Sequence, residues 1–208
     1  PAAQGTVKEY GMRMVLALVA ALALGACASS PPVRYFLLDT PVGLNRDIPG
    51  SVAVGLGPFR WPEYLDRPQI VTRGPGSELH YDQFNRWAEP LEESFTRSVA
   101  LNIDSRMEEV IVIIFPSGQL DELDVRVMGR VLRFDADSDG FAVLDVQWIL
   151  MEKGSDTPSF VRRGHYRGPI AADAGVPGVT AAMSETVAQF SADVVATISE
   201  RNKTASKE

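Results

Sequence analysis

The chain has 208 residues, with 20 Lys and Arg against 27 Asp and Glu and a formal net charge of −7. That balance excludes the electrostatic footprint of a nucleic-acid binder, which works by neutralising phosphates, and the composition gives no sign of a basic patch drawn to anionic lipid. Only one cysteine is present, so an internal disulfide is excluded and packing alone must hold the fold.

The N-terminal stretch reads as a targeting signal. Residues 1–11 precede candidate start residues Met12 and Met14 and look like an extension from a mis-set start. Met12-Arg13-Met14 leads into the apolar run Val15 to Ala23. The run is shorter than the roughly 20 residues of a bilayer-spanning helix and has the length of a signal-peptide core. It ends in Leu24-Gly25-Ala26-Cys27, the pattern of a bacterial lipoprotein box. The Cys27 thiol takes a diacylglyceryl thioether, the small Gly25 and Ala26 give a peptidase access, and the freed amine accepts a further acyl chain. At about 0.8 kcal/mol per buried CH₂, several chains on one residue anchor effectively permanently. Residues 1–26 are thus expected to be removed. Their Lys8, Glu9 and Arg13 go with them, which leaves the remainder slightly more acidic. Ala28 stands where an Asp would retain the protein in the inner membrane, so the expected location is the outer membrane, on its periplasmic face. Residues 27–32 form a lipidated tether. At about 3.3 Å per residue its reach is on the order of 20 Å, and Pro31-Pro32 stiffens it, so the domain is expected to sit close to its membrane.

Residues 33–201 are expected to form one domain. Val33 to Asp39 reads as a strand buried on both faces, because its apolar run is nearly continuous. A loop follows from Thr40 to Gly50. Ser51 to Phe59 reads as a second strand with Val52, Val54 and Leu56 on one face. Its Gly55-x-Gly57 lacks the third glycine and the following helix of a dinucleotide loop. Gln69 to Arg73 and Leu79 to Trp87 read as strands around the turn Gly74-Pro75-Gly76-Ser77. Pro90 then opens a helix, with Glu89, Glu92 and Glu93 favoured by its dipole. Leu91, Phe95, Val99, Ile103 and Met107 form one stripe to be laid on a sheet. Val110 to Phe115 is an apolar strand ended by Pro116-Ser117-Gly118. Leu123 to Phe134 and Phe141 to Met151 pair across a turn, with Ala142, Leu144, Val146, Trp148 and Leu150 on one face. A further strand spans Ser159 to Ile170. Pro177 opens the last helix, whose stripe is Val179, Met183, Val187, Phe190, Val194 and Ile198. Residues 202–208 read as a frayed tail. The fold class is α+β: a single domain with a mixed, mostly antiparallel sheet and two main helices on one face.

Several motifs bear on chemistry. Asp135-x-Asp137-x-Asp139-Gly140 matches the first half of a calcium loop, but Val146 stands where the bidentate Glu belongs, and strand patterns flank the loop. A solvated hairpin turn is the preferred reading, with a weak metal site as the alternative. His80 and His165 have no Cys or His at ligand spacing, so no metal and no cofactor is expected. No nucleophile elbow supports a hydrolase triad. Arg162, Arg163 and Arg167 on one strand are either an edge guard or a docking surface. The helix stripes read as core, with a lipid-binding groove between helices and sheet as the alternative. The segment Trp61 to Val71, with Asn85 to Leu91, concentrates aromatics, arginine and proline as an interaction surface does; packed loops with Tyr64 and Trp87 as core plugs are the alternative.

Those residues also carry a resemblance. Tyr64-Leu65-Asp66-Arg67-Pro68-Gln69-Ile70-Val71, followed by Arg86-Trp87-Ala88-Glu89-Pro90-Leu91, resembles the ABC-type transport auxiliary lipoprotein family. Val33-Arg34-Tyr35-Phe36-Leu37-Leu38 after a lipoprotein box is similar to the family's opening. The resemblance covers about residues 27–105. It implies an outer-membrane lipoprotein of a lipid-transport system in which a permease and ATPase work with an MCE-domain protein bridging the periplasm. It implies no catalytic residues and a non-enzymatic role. Tyr64, Arg67, Arg86 and Trp87 are the candidate interface residues, Cys27 is the lipidation site, and self-association is left open. The rival readings are an outer-membrane assembly or structural lipoprotein unconnected to lipid transport, and an envelope hydrolase.

Overall fold

A computed structural model of the chain describes residues 31–40, 48–115 and 123–205, with Met12 and Met14. Cys27 and its box, most of the tether, part of the loop after Thr40, the Pro116-Ser117-Gly118 turn and residues 206–208 lie outside the described residues. The chain divides into two compact units, Pro1–Pro32 and Val33–Glu208. All that follows concerns the second, which contains every described residue of the buried core, from Leu38 to Ile198.

Among the described residues eight strands and two helices make an α+β fold. The strands are β1 (Arg34–Phe36), β2 (Ile48–Arg60), β3 (Gln69–Arg73), β4 (Leu79–Trp87), β5 (Met107–Ile114), β6 (Val125–Ala136), β7 (Phe141–Glu152) and β8 (Phe160–Pro169). The helices are α1 (Leu91–Asp104) and α2 (Gly175–Ala205), and a 3₁₀ turn covers Glu63–Leu65. The sheet runs β1-β4-β3-β6-β2-β5, with β7 and β8 continuing from the other side of β6. β6 is the hub. Along one side it pairs β2 in parallel, from Val54↔Val125 to Arg60↔Arg130, and its last residue, Ala136, reaches Thr72 of β3. Along the other side it pairs β7 antiparallel over its whole length. The sheet is mixed, and its two longest ladders, β6–β7 and β7–β8, are antiparallel.

Both helices cover one face. Leu91, Phe95, Val99 and Ile103 of α1 are all buried, as an every-fourth-residue stripe requires on a helix. Met107 lies past the end of α1 and begins β5, so the stripe outruns the helix by one turn. On α2, Met183, Val187, Phe190, Val194 and Ile198 are buried in the same way. They meet Leu144, Val146, Trp148 and Leu150 of β7, which alternate inward as a half-buried strand must. Phe190 sits at the centre. Its ring centroid lies 5.9 Å from Phe95, 6.0 Å from Phe59, 5.8 Å from Trp148 and 5.9 Å from Tyr166. Such aromatic contacts add to the burial term. Gly168 lets α2 lie directly on β8: a Cβ there would strike the Ala182 carbonyl oxygen.

Two expectations need correction. Val33 to Asp39 is not buried on both faces. Only Arg34–Phe36 is strand, and Val33, Tyr35 and Leu37 are exposed, with Leu38 buried. The reason is position: among the described residues β1 is the last strand on its side and pairs only β4. Nor is Asp135 part of a solvated turn. It lies within β6 and is fully buried, and the turn proper uses Asp137, whose Oδ1 accepts from Asp139 N at 3.1 Å and Phe141 N at 2.9 Å.

Candidate interaction cleft

The two segments singled out in sequence face each other across a cleft of about 960 Å³. One lip runs from Pro58 to Pro68, the other from Trp87 to Glu92. Local backbone bonds shape both. Leu65 N donates to Pro62 O at 3.0 Å and Asp66 N to Glu63 O at 3.1 Å, which closes the 3₁₀ turn. Trp87 N donates to Pro68 O at 2.6 Å, joining the lips at their base, and Ala88 N donates to Phe36 O at 2.8 Å, tying the second lip to β1. Pro90 is the residue before α1, and Ser94 N donates to its carbonyl at 3.0 Å. Proline suits such a helix start because no N–H is lost there.

The floor is apolar: Phe59, Leu65, Trp87 and Leu91 are buried, and Trp61 is half-buried. Trp61 ties the floor to the core through an edge-on contact with Phe95 at 5.2 Å. The rim is charged. Asp66 and Glu63 stand with Arg60 on one lip and Glu92 on the other, all exposed, so acids outnumber bases there. Burial, with the charges of Asp66 and Glu93, pushes the Glu92 carboxyl above its ordinary range. These acids therefore repel across the mouth. Glu89 behaves oppositely, because its hydrogen bond from Arg97 holds it below the usual carboxylate range. Two buried donors at the cleft, Trp61 Nε1 and Arg67 Nε, have no hydrogen-bond partner among the described residues. Buried donors of this kind are normally satisfied, so an incoming acceptor would gain from both. No serine, histidine or cysteine is among the described residues lining the cleft. The arrangement suits holding an apolar group with cationic flanks.

The four candidate interface residues divide. Arg67 and Trp87 line the cleft, and the Arg67 guanidinium lies 4.1 Å over the Tyr81 ring. Arg86, one residue earlier on β4, points to the opposite face by strand alternation; its backbone neighbours are Tyr35 and Gln69. Tyr64 buttresses the lip from behind. Its hydroxyl donates to Asp135 Oδ2 at 2.9 Å. The same carboxylate accepts from Arg73 Nη2 at 2.8 Å, and its Oδ1 from Arg133 Nε at 2.8 Å. Burial first, and the Asp135 carboxylate second, push the Tyr64 phenol well above its ordinary value. Leu65, Asp66, Leu91 and Glu92 also line the cleft but were not among the candidates. The signal for them was the prolines Pro58, Pro68 and Pro90 bracketing both segments. The histidines are elsewhere: His80 Nε2 is 3.9 Å from Glu78, and His165 Nδ1 is 2.7 Å from Asp145. Among the described residues no three His, Cys, Asp or Glu side chains are grouped to hold a metal ion. No described helix is long and apolar enough to cross a membrane.

Comparison with known families matches residues 36–195 to the ABC-type transport auxiliary lipoprotein component family, a span that takes in both lips. The chain belongs to that family. Among solved structures it is similar to protein XCC0632 of Xanthomonas campestris, of the DUF330 family, at 17% identity and a TM-score of 0.69, covering 85% of this chain and 100% of that one. It is similar also to the crystal structure of an uncharacterized protein at 21% identity and a TM-score of 0.67, covering 81% of this chain and 99% of the other. These likenesses show a shared fold. No curated protein matches the chain.

Proposed function

We propose that this chain is an outer-membrane-anchored, periplasm-facing lipoprotein that docks the MCE-domain component of an ABC-type lipid transporter and carries out no catalysis itself. The observation that supports this reading is the cleft: the two segments with the strongest family resemblance form its lips, over an apolar floor and beneath an acidic rim. Cys27 supplies the anchor. The partner presents an aliphatic or aromatic side chain to Phe59, Trp61 and Leu91, with a basic residue between Asp66 and Glu92. Burying one such side chain is worth about 1.5–3 kcal/mol.

The test is capture of the MCE-domain protein encoded in the same bacterium by the lipidated chain. Asp66→Arg with Glu92→Arg changes only exposed rim charges and is expected to abolish capture while the fold persists. Capture at the parental level would refute the docking role. Cys27→Ala is expected to move a folded protein from the membrane to the soluble periplasmic fraction. Retention in the outer membrane would refute the anchor.

A further inference from the structure

Arg60, Arg130 and Arg163 are far apart in sequence and form one row on the sheet face turned away from the helices. Arg60 and Arg130 are direct partners on β2 and β6, Arg130 is opposite Gln147 on β7, and Gln147 is opposite Arg163 on β8. Their inward neighbours Phe59 and Trp148 are buried, and all four members of the row are exposed. None of the three guanidiniums has a hydrogen-bond or ion-pair partner among the described residues. The next row is apolar: Met128 and Ile149, half-buried, and Val161, 64% exposed. Arg60, Met128, Arg130, Gln147, Ile149 and Val161 together line a shallow concavity of about 460 Å³. On β7 and β8 the only acid this face presents among the described residues is Asp145, which His165 already holds. The expectation from composition, that the chain lacks a basic patch, is therefore corrected. The net charge of −7 hides a local concentration that only strand register assembles.

Like charges directly opposite each other on adjacent strands are destabilising, and strands lie about 4.8 Å apart. Among the described residues neither Arg60 nor Arg130 has an ion-pair partner to offset that cost. An anion between them would remove it, and phosphate matches the guanidinium fork. An acidic protein surface would satisfy the guanidiniums but leave Val161 and its row against polar groups. A phospholipid surface offers phosphates and hydrocarbon at adjoining depths, and long arginine stems span the two. We propose that this face lies against the anionic headgroups of a phospholipid bilayer, with the arginine row at phosphate level and the Met128–Ile149–Val161 row inserted beneath it. The surface acts in addition to the Cys27 anchor and fixes which side of the domain faces the lipid.

The test uses the chain begun at Ala28, which keeps the complete described core and has no acyl group. It is floated with vesicles of phosphatidylcholine alone and of phosphatidylcholine mixed with phosphatidylglycerol, at low and at high salt. The expected result is binding to the mixed vesicles only, weakened by salt. Arg130→Gln with Arg163→Gln, which leaves the cleft untouched, should lower the partition roughly 25-fold, since each surface guanidinium is worth about a factor of five. Val161→Asp should lower it independently. Lys153→Gln with Lys203→Gln, the same charge removed elsewhere, should leave it near the parental value. Equal binding to both vesicle types, an unchanged double Arg variant, or a control as damaging as that variant would overturn the proposal. So would arginine-dependent binding to polyglutamate with none to vesicles, which would assign the face to an acidic protein. Failure of capture by the MCE-domain protein would leave this result standing, since no docking partner takes part.

Discussion

Asp135→Ala should be the costliest polar substitution in the domain. The carboxylate is fully buried and holds three side chains from three elements: Tyr64 of the cleft lip, Arg73 of β3 and Arg133 of β6. Removing one partner of a buried charge pair costs about 3–5 kcal/mol, because the remaining charge is left uncompensated. Here Arg73 and Arg133 keep 26% and 25% side-chain exposure and can turn toward water. That moves the expectation to the low end, about 3 kcal/mol. For a domain stable by roughly 10 kcal/mol, with a urea slope near 2 kcal/mol/M, the midpoint should fall by about 1.5 M. Asp135→Asn keeps two acceptable hydrogen bonds and should lose about half as much. The assay is urea unfolding of the chain begun at Ala28, read by tryptophan fluorescence, with amide exchange over residues 63–66. The lip should lose protection in step with the fall in stability, because Tyr64 loses the acceptor of its hydroxyl hydrogen bond. A loss under about 1 kcal/mol at unchanged slope would refute the reasoning, since the cluster would then be ornamental to the fold.

Alkaline pH should destabilise the protein from near pH 10 upward. Burial raises the phenols of both Tyr64 and Tyr166 above the ordinary tyrosine value of 10.0. The unfolded chain therefore gives up these protons first, and stability that is complete below pH 10 declines as pH rises. Each group adds up to about 1.4 kcal/mol per pH unit to the slope. Tyr64→Phe should halve that slope, and an unchanged slope would count against the burial of its hydroxyl. Phe190→Ala should cost about 4 kcal/mol, because the ring is fully buried among four others and the helix cannot collapse into the space. Thermal unfolding should fall by about 10 °C, and a shift of only a degree or two would mean that the aromatic cluster repacks.

What could be read in advance followed the physics of local period. The bounds of β3 and β4 agree with the expected strands, Gln69 to Arg73 and Leu79 to Trp87. Each has turn residues at its ends and a clear change of pattern. The stripes of α1 and α2 and the inward set of β7 were equally legible, because burial on one face forces a period of 3.6 or 2. The first strand misled for the complementary reason. A short apolar run carries no period, so Val33 to Leu38 looks the same whether it lies at the centre of a sheet or at its rim. Asp135 misled because a turn signature, Asp139-Gly140, lies four residues beyond it. Whether a carboxylate faces water or two guanidiniums is settled by Arg73, 62 residues away.

The cleft and the arginine row show the same division at the level of function. The lips are local: two segments rich in proline and aromatics, each recognisable in isolation, brought together by the short bond from Trp87 N to Pro68 O. The arginine row has no local signature at all. It exists because Arg60, Arg130 and Arg163 occupy equivalent positions on strands whose register is fixed by the alternation of their buried neighbours. A one-residue slip of β6 would carry Arg130 to the core face and Gly129 outward, and the core would reject it before the surface formed. The helix-facing core therefore enforces, residue by residue, the pattern on the opposite side of the sheet. Selection for packing of Phe59, Trp148 and Tyr166 is what holds the guanidiniums in line.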